Sequence, residues 1–200
     1  MKNQEKEMSR PQLEAADDRI LIREYLSGDT ESFSILYARY RVLLYNYLNQ
    51  LLNFDRVLAD DLFQQTWIRA LDNLSKYHDR QQFSAWLLRI AHNLVMDNYR
   101  RNKKFRQLDG GSLDDENNHF EPAGKGMEPW RELSNTELGN AIREALEKLS
   151  PDLREVFLLR QEELSFKEIA DIQKTSVNTV LGRMQYALKN LRKYLAEWKS

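Results

Sequence analysis

The sequence predicts an all-α protein, built as two small helical domains joined by a flexible linker. Three observations predict it. Only seven glycines and four prolines punctuate the 200 residues, which leaves long stretches uninterrupted by helix breakers. Through most of those stretches apolar residues recur at three- and four-residue steps, the period of a helix with one buried face. Ser, Asp and Glu stand where helix starts need capping side chains. One segment breaks the pattern: QLDGGSLDDENNHFEPAGKGMEPW is acidic, carries paired glycines and has no helical period. It reads as the linker, over 107–132.

Composition excludes several classes. A chain with 42% hydrophobic and 30% charged residues is too apolar for general disorder and suits a soluble globular protein. It contains no apolar run near the ~20 residues of a membrane span and no signal-peptide pattern, so no direct membrane insertion is expected. The absence of cysteine rules out disulfides and thiolate metal sites and agrees with a cytoplasmic location. His78, His92 and His119 have no metal-ligand spacing, and no glycine-rich loop is present to cradle phosphate. No catalytic residue, metal or cofactor is therefore expected. The net charge of −1 hides an uneven distribution, with basic clusters at 100–106 and near the C-terminus and acids between them.

Taken in order, residues 1–16 are polar, lack periodicity and read as a mobile leader. DDRILIREYLSGD, from Asp17, reads as a short helix that stops near Gly28. Phe33, Leu36, Tyr37, Tyr40, Leu44, Tyr47, Leu48 and Leu51 form the apolar stripe of a longer helix. Asp55 is the N-cap of a third helix, about 56–74. Its Leu58, Leu62, Phe63, Thr66, Trp67, Ala70, Leu71 and Leu74 face inward and Asp60, Asp61, Gln64 and Gln65 outward. After the loop SKYHDRQQ comes the stretch 81–106. Phe83, Trp86, Leu87, Ile90, Ala91 and Leu94 give it a buried face; His92, Asn93, Asp97, Asn98 and Tyr99 are polar groups able to read a base; Arg100, Arg101, Lys103, Lys104 and Arg106 end it in positive charge. These elements make a first domain over 17–106.

A second domain, 133–200, follows the linker. Ser134 with Glu137 and Ser165 with Glu168 match capping boxes, and Ser150 precedes a proline at a first helical position. A final helix starts at Ser176 and runs towards Trp198, with Val177, Val180, Met184, Leu188, Leu191 and Leu195 inside.

Three features carry functional readings beside plainer ones. The short capped helix, the turn and the helix from Ser176 have helix-turn-helix proportions. Asn178, Thr179, Arg183, Gln185, Tyr186 and Lys189 are then candidate DNA contacts; the alternative is a helical hairpin with a solvated basic face. The outward Asp60, Asp61, Gln64 and Gln65 suit an arginine-rich partner helix or a solvated surface. The macrodipole explains one or two cations at the end of 81–106 better than five. Tyr77, Phe83, Trp86 and Tyr99 suit stacking on unpaired bases or core packing.

These blocks resemble a known family. GDTESFSILYARY, DDLFQQTWIRALDNL, FSAWLLRIAHNLVMDNYRR and LSPDLREVFLLRQEELSFKEIADI, in that order on both sides of the linker, are similar to bacterial RNA polymerase sigma factors of the sigma-70 family, extracytoplasmic-function (ECF) subfamily. The resemblance implies a first domain like sigma region 2 and a second like region 4. It also implies that the chain binds core RNA polymerase and promoter DNA and promotes initiation without covalent chemistry. By position it assigns Asp61, Gln64 and Gln65 to core polymerase, with Trp67 at the motif's aromatic core position; Asp60, on the same outward stripe, joins them as a candidate. It assigns loop 75–82, Asn93, Asp97, Arg100 and Arg101 to the −10 element, where a base is turned out of the stack; Tyr77, Arg89, His92 and Asn98 complete the candidate −10 contacts. It makes the final helix the reader of the −35 element and retains Arg183 there, with Ser176, Asn178, Thr179, Gly182, Gln185, Tyr186 and Lys189 as the other candidate contacts. An anti-sigma factor is implied as a partner, and the acidic linker is expected to mimic nucleic acid in the polymerase's RNA path. The chain departs from the family at Leu181 and Tyr186, where cations are common. It also has Lys174 where the turn usually has glycine, and a differently shaped turn is expected there. The alternatives are a stand-alone helix-turn-helix regulator and a sigma-like decoy that only binds polymerase.

Overall fold

The computed structural model describes residues 10–78, 82–108 and 137–198. Among these residues the regular structure is helical. The helices are α1 (Arg10–Glu14), α2 (Asp18–Leu26), α3 (Thr30–Leu51), α4 (Arg56–Asn73), α5 (Phe83–Leu108), α6 (Glu137–Glu147), α7 (Pro151–Gln161), α8 (Phe166–Gln173) and α9 (Val177–Trp198); a single 3₁₀ turn follows α4. Ser134, His119 and the linker segment 109–132 lie outside the described residues, as do the side chains of Lys103, Lys104 and Arg106.

Local chemistry sets most of the boundaries. Asp17, Asp29 and Asp55 each accept backbone N–H bonds at the starts of α2, α3 and α4, satisfying donors that a helix leaves open at its first turn. Gly28, at φ 110, lets the chain turn from α2 into the Asp29 cap without a side-chain clash. Ser165 and Glu168 form the full capping box of α8: Ser165 Oγ accepts from Glu168 N at 3.2 Å and Glu168 Oε2 accepts from Ser165 N at 2.8 Å. Ser165→Ala is expected to cost about 1 kcal/mol, read as a lower urea midpoint with an unchanged slope; no change would mean the box is dispensable.

Three expectations are corrected. The leader is not featureless to residue 16: α1 is helical and Leu13 is 2% exposed. Arg39 holds its end, donating to the carbonyls of Glu14 and Ala16 at 3.2 and 3.0 Å. A single leucine shows no period, so this packing had no local signature. Ser150 precedes α7, but its hydroxyl makes no capping bond, and the proline at the helix start leaves one fewer donor to cap. Val177 is 40% exposed, whereas Ala187 is fully buried and takes the inward place beside Val180 and Leu191.

The two halves share a core. Leu36, Leu48, Leu87, Leu94 and Val95 from the first half belong to one continuous buried cluster with Val156, Leu159, Leu164, Ile169 and Val180 from the second. A smaller cluster of Ala145, Leu146, Leu149, Ala187 and Leu191 holds α6 and α9 together. The contact between halves runs chiefly from α8 to α5 and from α7 to α3. This arrangement decides which faces of α5 remain open.

Candidate nucleic-acid and polymerase interfaces

On α4, Asp60, Asp61 and Gln64 are exposed, and Gln65 is half-buried with its Nε2 donating to Asp61 Oδ2 at 2.8 Å. Trp67 is buried against Phe33 and Tyr37, with ring centroids 5.8 and 5.0 Å away. Val57 and Ile68 are 80% and 58% exposed. They lie four residues before and seven after Asp61, so the outward stripe reads Val57, Asp61, Gln64, Ile68. The stripe thus has an acidic centre flanked by two uncovered apolar groups. Sequence reasoning missed both residues, although each falls out of phase with the inward set, and that was the available signal.

The α5 candidates divide by depth. Tyr77 packs with Phe83 and Trp86 in an aromatic cluster, with centroids 5.6 and 5.3 Å from it. Phe83 is 1% exposed, so it packs in the core instead of offering a stacking face. His92 is corrected from base reader to buried group: it is 6% exposed, and its Nδ1 lies 2.6 Å from Glu155 Oε1. Asn93 Oδ1 accepts from Lys174 Nζ at 2.9 Å, and Arg89 Nη2 is 4.0 Å from Asp171 Oδ2. All three contacts come from residues 60 or more positions away, beyond the reach of a local pattern. Further along, Asp97 pairs with Arg100 at 3.3 Å, and Arg101 Nε donates to the Asp97 carbonyl at 3.4 Å. Asn98 accepts from Asn102 at 3.1 Å, and the Tyr99 hydroxyl donates to the Leu51 carbonyl at 3.5 Å. Arg100 and Arg101 are exposed. A groove of about 850 Å³ beside Tyr77 and His78 is lined by Arg19, Ile22, Arg23, Leu26 and Ser27 of the α2 region.

The polar contact between halves centres on Glu155, 1% exposed. It accepts from the Tyr47 hydroxyl and from Gln173 Nε2 at 2.8 Å, besides the His92 contact. Burial alone pushes its carboxyl up, but the bonds from His92, Tyr47 and Gln173 and the positive charge near it leave it below the ordinary carboxylate value. Burial and the neighbouring Glu155 carboxylate push the Tyr47 hydroxyl well up, so it stays a donor. Beside this cluster Arg154, 2% exposed, donates to the carbonyls of Leu146, Glu147 and Leu149 at 2.8, 2.9 and 3.0 Å. It also donates to the Gln50 carbonyl at 3.3 Å and to Asn53 Oδ1. The guanidinium thus sits at the C-terminal ends of both α6 and α3, where free carbonyls and the helix dipoles favour a cation.

On α9, Ser176 Oγ accepts from Thr179 N at 3.1 Å and shares a bond with Thr179 Oγ1 at 2.8 Å. Asn178, Leu181, Gln185 and Lys189 form an exposed stripe, with Tyr186, 64% exposed, beside it. A Cβ at Gly182 would meet nothing within 4 Å, so no internal packing requires the glycine. Arg183 is turned aside, donating to Gln173 Oε1 at 2.7 Å and Asp152 Oδ2 at 2.5 Å. The turn is not reshaped by Lys174, which takes the left-handed conformation at φ 52, ψ 46.

Among the described residues no cluster of three or more His, Cys, Asp or Glu side chains is arranged to hold a metal ion, and no helix is long and apolar enough to cross a membrane.

The family model described as Sigma-70 region 2 matches residues 36–105, and that described as Sigma-70, region 4 matches residues 139–191. The ECF RNA polymerase sigma factor SigW of Bacillus subtilis is 30% identical over 179 residues, 88% of this chain and 95% of SigW. The RNA polymerase sigma factor YlaC of the same organism is 31% identical over 163 residues, 80% of this chain and 91% of YlaC. The solved structure of CnrH in complex with the cytosolic domain of CnrY superposes with a TM-score of 0.62 at 26% identity, covering 90% of this chain and 97% of CnrH. The sigma factor RpoE bound to the anti-sigma factor NepR, from Bartonella quintana, shares the fold with a TM-score of 0.64 at 24% identity, covering 84% of this chain and 98% of RpoE. With a relative 30% identical along nearly its whole length and both region models matched in order, the chain belongs to the ECF sigma factors of RNA polymerase.

Proposed function

We propose that this sigma factor divides its work among three surfaces and performs no covalent chemistry of its own. The stripe Val57, Asp61, Gln64 and Ile68, with Asp60 and Gln65 at its margin, docks on core RNA polymerase. The acidic centre selects a basic helix and the two apolar groups anchor it. Asn93, Asp97, Asn98, Arg100 and Arg101 of α5 handle the −10 element. Single-stranded DNA there needs cations along its backbone, and a base turned out of the stack needs a pocket that offsets a few kcal/mol of unstacking. The groove beside Tyr77, with Arg19 and Arg23 on its wall, has the chemistry for that base. Helix α9 reads the −35 element through Asn178, Gln185 and Lys189. Ser176 and Thr179 suit phosphate oxygens, and the bare backbone at Gly182 admits a close approach. The exposed Leu181 offers an apolar contact of the kind that reads a thymine methyl group.

The observation that carries this reading is the presence, on one chain, of a capped helix-turn-helix and a polar helix ending in cations, beside an uncovered acidic-apolar stripe. An inhibitory protein partner belongs to the same proposal; CnrH, a structural relative, was solved bound to the cytosolic domain of CnrY. Run-off transcription with core polymerase tests the whole. The wild-type chain should direct promoter-specific transcripts from genomic fragments. Charge reversal of both Arg100 and Arg101 should abolish those transcripts while leaving co-purification with core polymerase intact. A wild-type chain that co-purifies with core but gives no product on any fragment is the behaviour of a decoy. Tight duplex binding without polymerase is that of a stand-alone regulator.

A further inference from the structure

We propose that the N-terminal turns of α9 read A·T pairs in the −35 element, and that Leu181 is the specificity-determining residue, seated against a thymine methyl group. The proposal rests on the −35 role given to α9 above and deepens it by naming the bases.

Helix α9 leaves one face open. At about 100° per residue, Asn178, Leu181, Gly182, Gln185 and Lys189 share one side of the helix, with Tyr186 at its edge. Asn178, Leu181, Gln185, Tyr186 and Lys189 are exposed, and a Cβ at Gly182 would meet nothing within 4 Å. Leu181 and Val177, one turn before it, are large apolar groups in water. Neither belongs to either buried cluster of the protein, so internal packing does not account for them.

Base readout in a major groove divides by side-chain type. Arginine or lysine forks onto guanine O6 and N7, and a carboxylate accepts from cytosine N4; asparagine or glutamine forks onto adenine N6 and N7, and an apolar group meets the thymine methyl. The open face of α9 has the second set in its first turns and lacks the first. No acidic residue stands between Ser176 and Ala196. Arg183 is the one cation within 177–188, and it lies about 140° round the helix from Asn178. There it is committed inward, donating to Gln173 Oε1 at 2.7 Å and Asp152 Oδ2 at 2.5 Å. The exposed Lys189, Arg192 and Lys193 come later, whereas the N-terminal residues of a recognition helix are the ones that meet base edges.

Leu181 stands between the two amides, with Asn178 one turn before it and Gln185 one turn after. Its side chain has no donor or acceptor, so against a guanine or cytosine edge it would leave polar groups without partners. Against the thymine C5-methyl it removes apolar surface from water on both sides. Gly182 beside it has no side chain to hold the backbone off the groove.

The test uses holoenzyme assembled from core polymerase and the full-length chain, on a promoter mapped with it. Replacing each thymine of the −35 element in turn by deoxyuridine removes only the methyl group. At one position deoxyuridine should lower wild-type affinity about threefold to fivefold, the worth of one buried methyl group. Leu181→Ala should lose a similar factor on the thymine promoter and nothing further on the deoxyuridine one. Leu181 is exposed and alanine favours a helix, so this variant should fold as well as wild type. Leu181→Arg should turn the preference at the same pair to guanine, and Arg183→Ala should leave the base preference unchanged. A deoxyuridine penalty equal in wild type and Leu181→Ala, or none at any thymine, would overturn the role of Leu181. A −35 element of G·C pairs, or a base preference that changes in Arg183→Ala, would overturn the A·T reading while leaving the −35 role of α9 in place. A promoter indifferent to every base substitution in the −35 element would overturn that role and the proposal with it.

Discussion

Replacing Arg154 by alanine is expected to produce the largest loss of stability of any single change at the contact between the halves, about 3–4 kcal/mol. The side chain is 2% exposed and donates to the carbonyls of Leu146, Glu147, Leu149 and Gln50 and to Asn53 Oδ1. No carboxylate pairs with it in these contacts; its charge is balanced by the carbonyl ends of α6 and α3. Burial lowers its pKa from the ordinary arginine value, yet guanidinium remains protonated at any working pH. Truncation leaves buried acceptors without donors, and each such loss costs on the order of 1–3 kcal/mol. Arg154→Lys should recover little, because one ammonium cannot reproduce a planar fork that spans two helix ends. Urea unfolding of the full-length chain measures both variants. A loss below about 1 kcal/mol for alanine would show that water satisfies these carbonyls and that the clamp is not structural.

Asp61→Arg should have the largest effect on partner binding, weakening association with core polymerase by roughly tenfold to a hundredfold, or about 1.4–2.8 kcal/mol. Asp61 is exposed and its recorded partner is Gln65 on the same helix, so the fold should change by no more than about 0.5 kcal/mol. The substitution places a cation where the docking stripe is proposed to meet one, and the defect should depend on ionic strength. Ile68→Ser, on the same stripe, should weaken binding with little salt dependence, because the loss is apolar contact. Titration of core polymerase with labelled protein at two salt concentrations separates the two. Wild-type affinity for Asp61→Arg would move the docking surface off this face of α4.

Much of the fold was legible because its signals are local. Asp55 caps α4, and Ser165 with Glu168 caps α8, because a capping side chain bonds to a backbone only two or three residues away. The inward positions Leu62, Thr66, Trp67 and Ala70 followed from the helical period and are all buried. The same period left the outward stripe of α4 recognisable, although Val57 and Ile68 were overlooked as members of it. The polar face of α5 misled for a related reason: period and residue type mark a face as polar, but not whether water, DNA or another helix will meet it. His92 looked like a surface reader until Glu155, 63 residues away, was found against it. Lys174 looked like a departure that would reshape its turn, yet the turn keeps its left-handed form and the ammonium contacts Asn93.

By itself, then, the sequence determined the helices, their caps, their buried stripes and the family motifs, since backbone hydrogen bonding and side-chain period are properties of neighbouring residues. Only the tertiary structure decided that Tyr47, His92, Glu155 and Gln173 meet, that Arg154 joins two helix ends, and that the second half contacts Arg89, His92 and Asn93 of α5. Those contacts join residues far apart in the chain, where a buried charge is acceptable only if distant segments deliver its partners together.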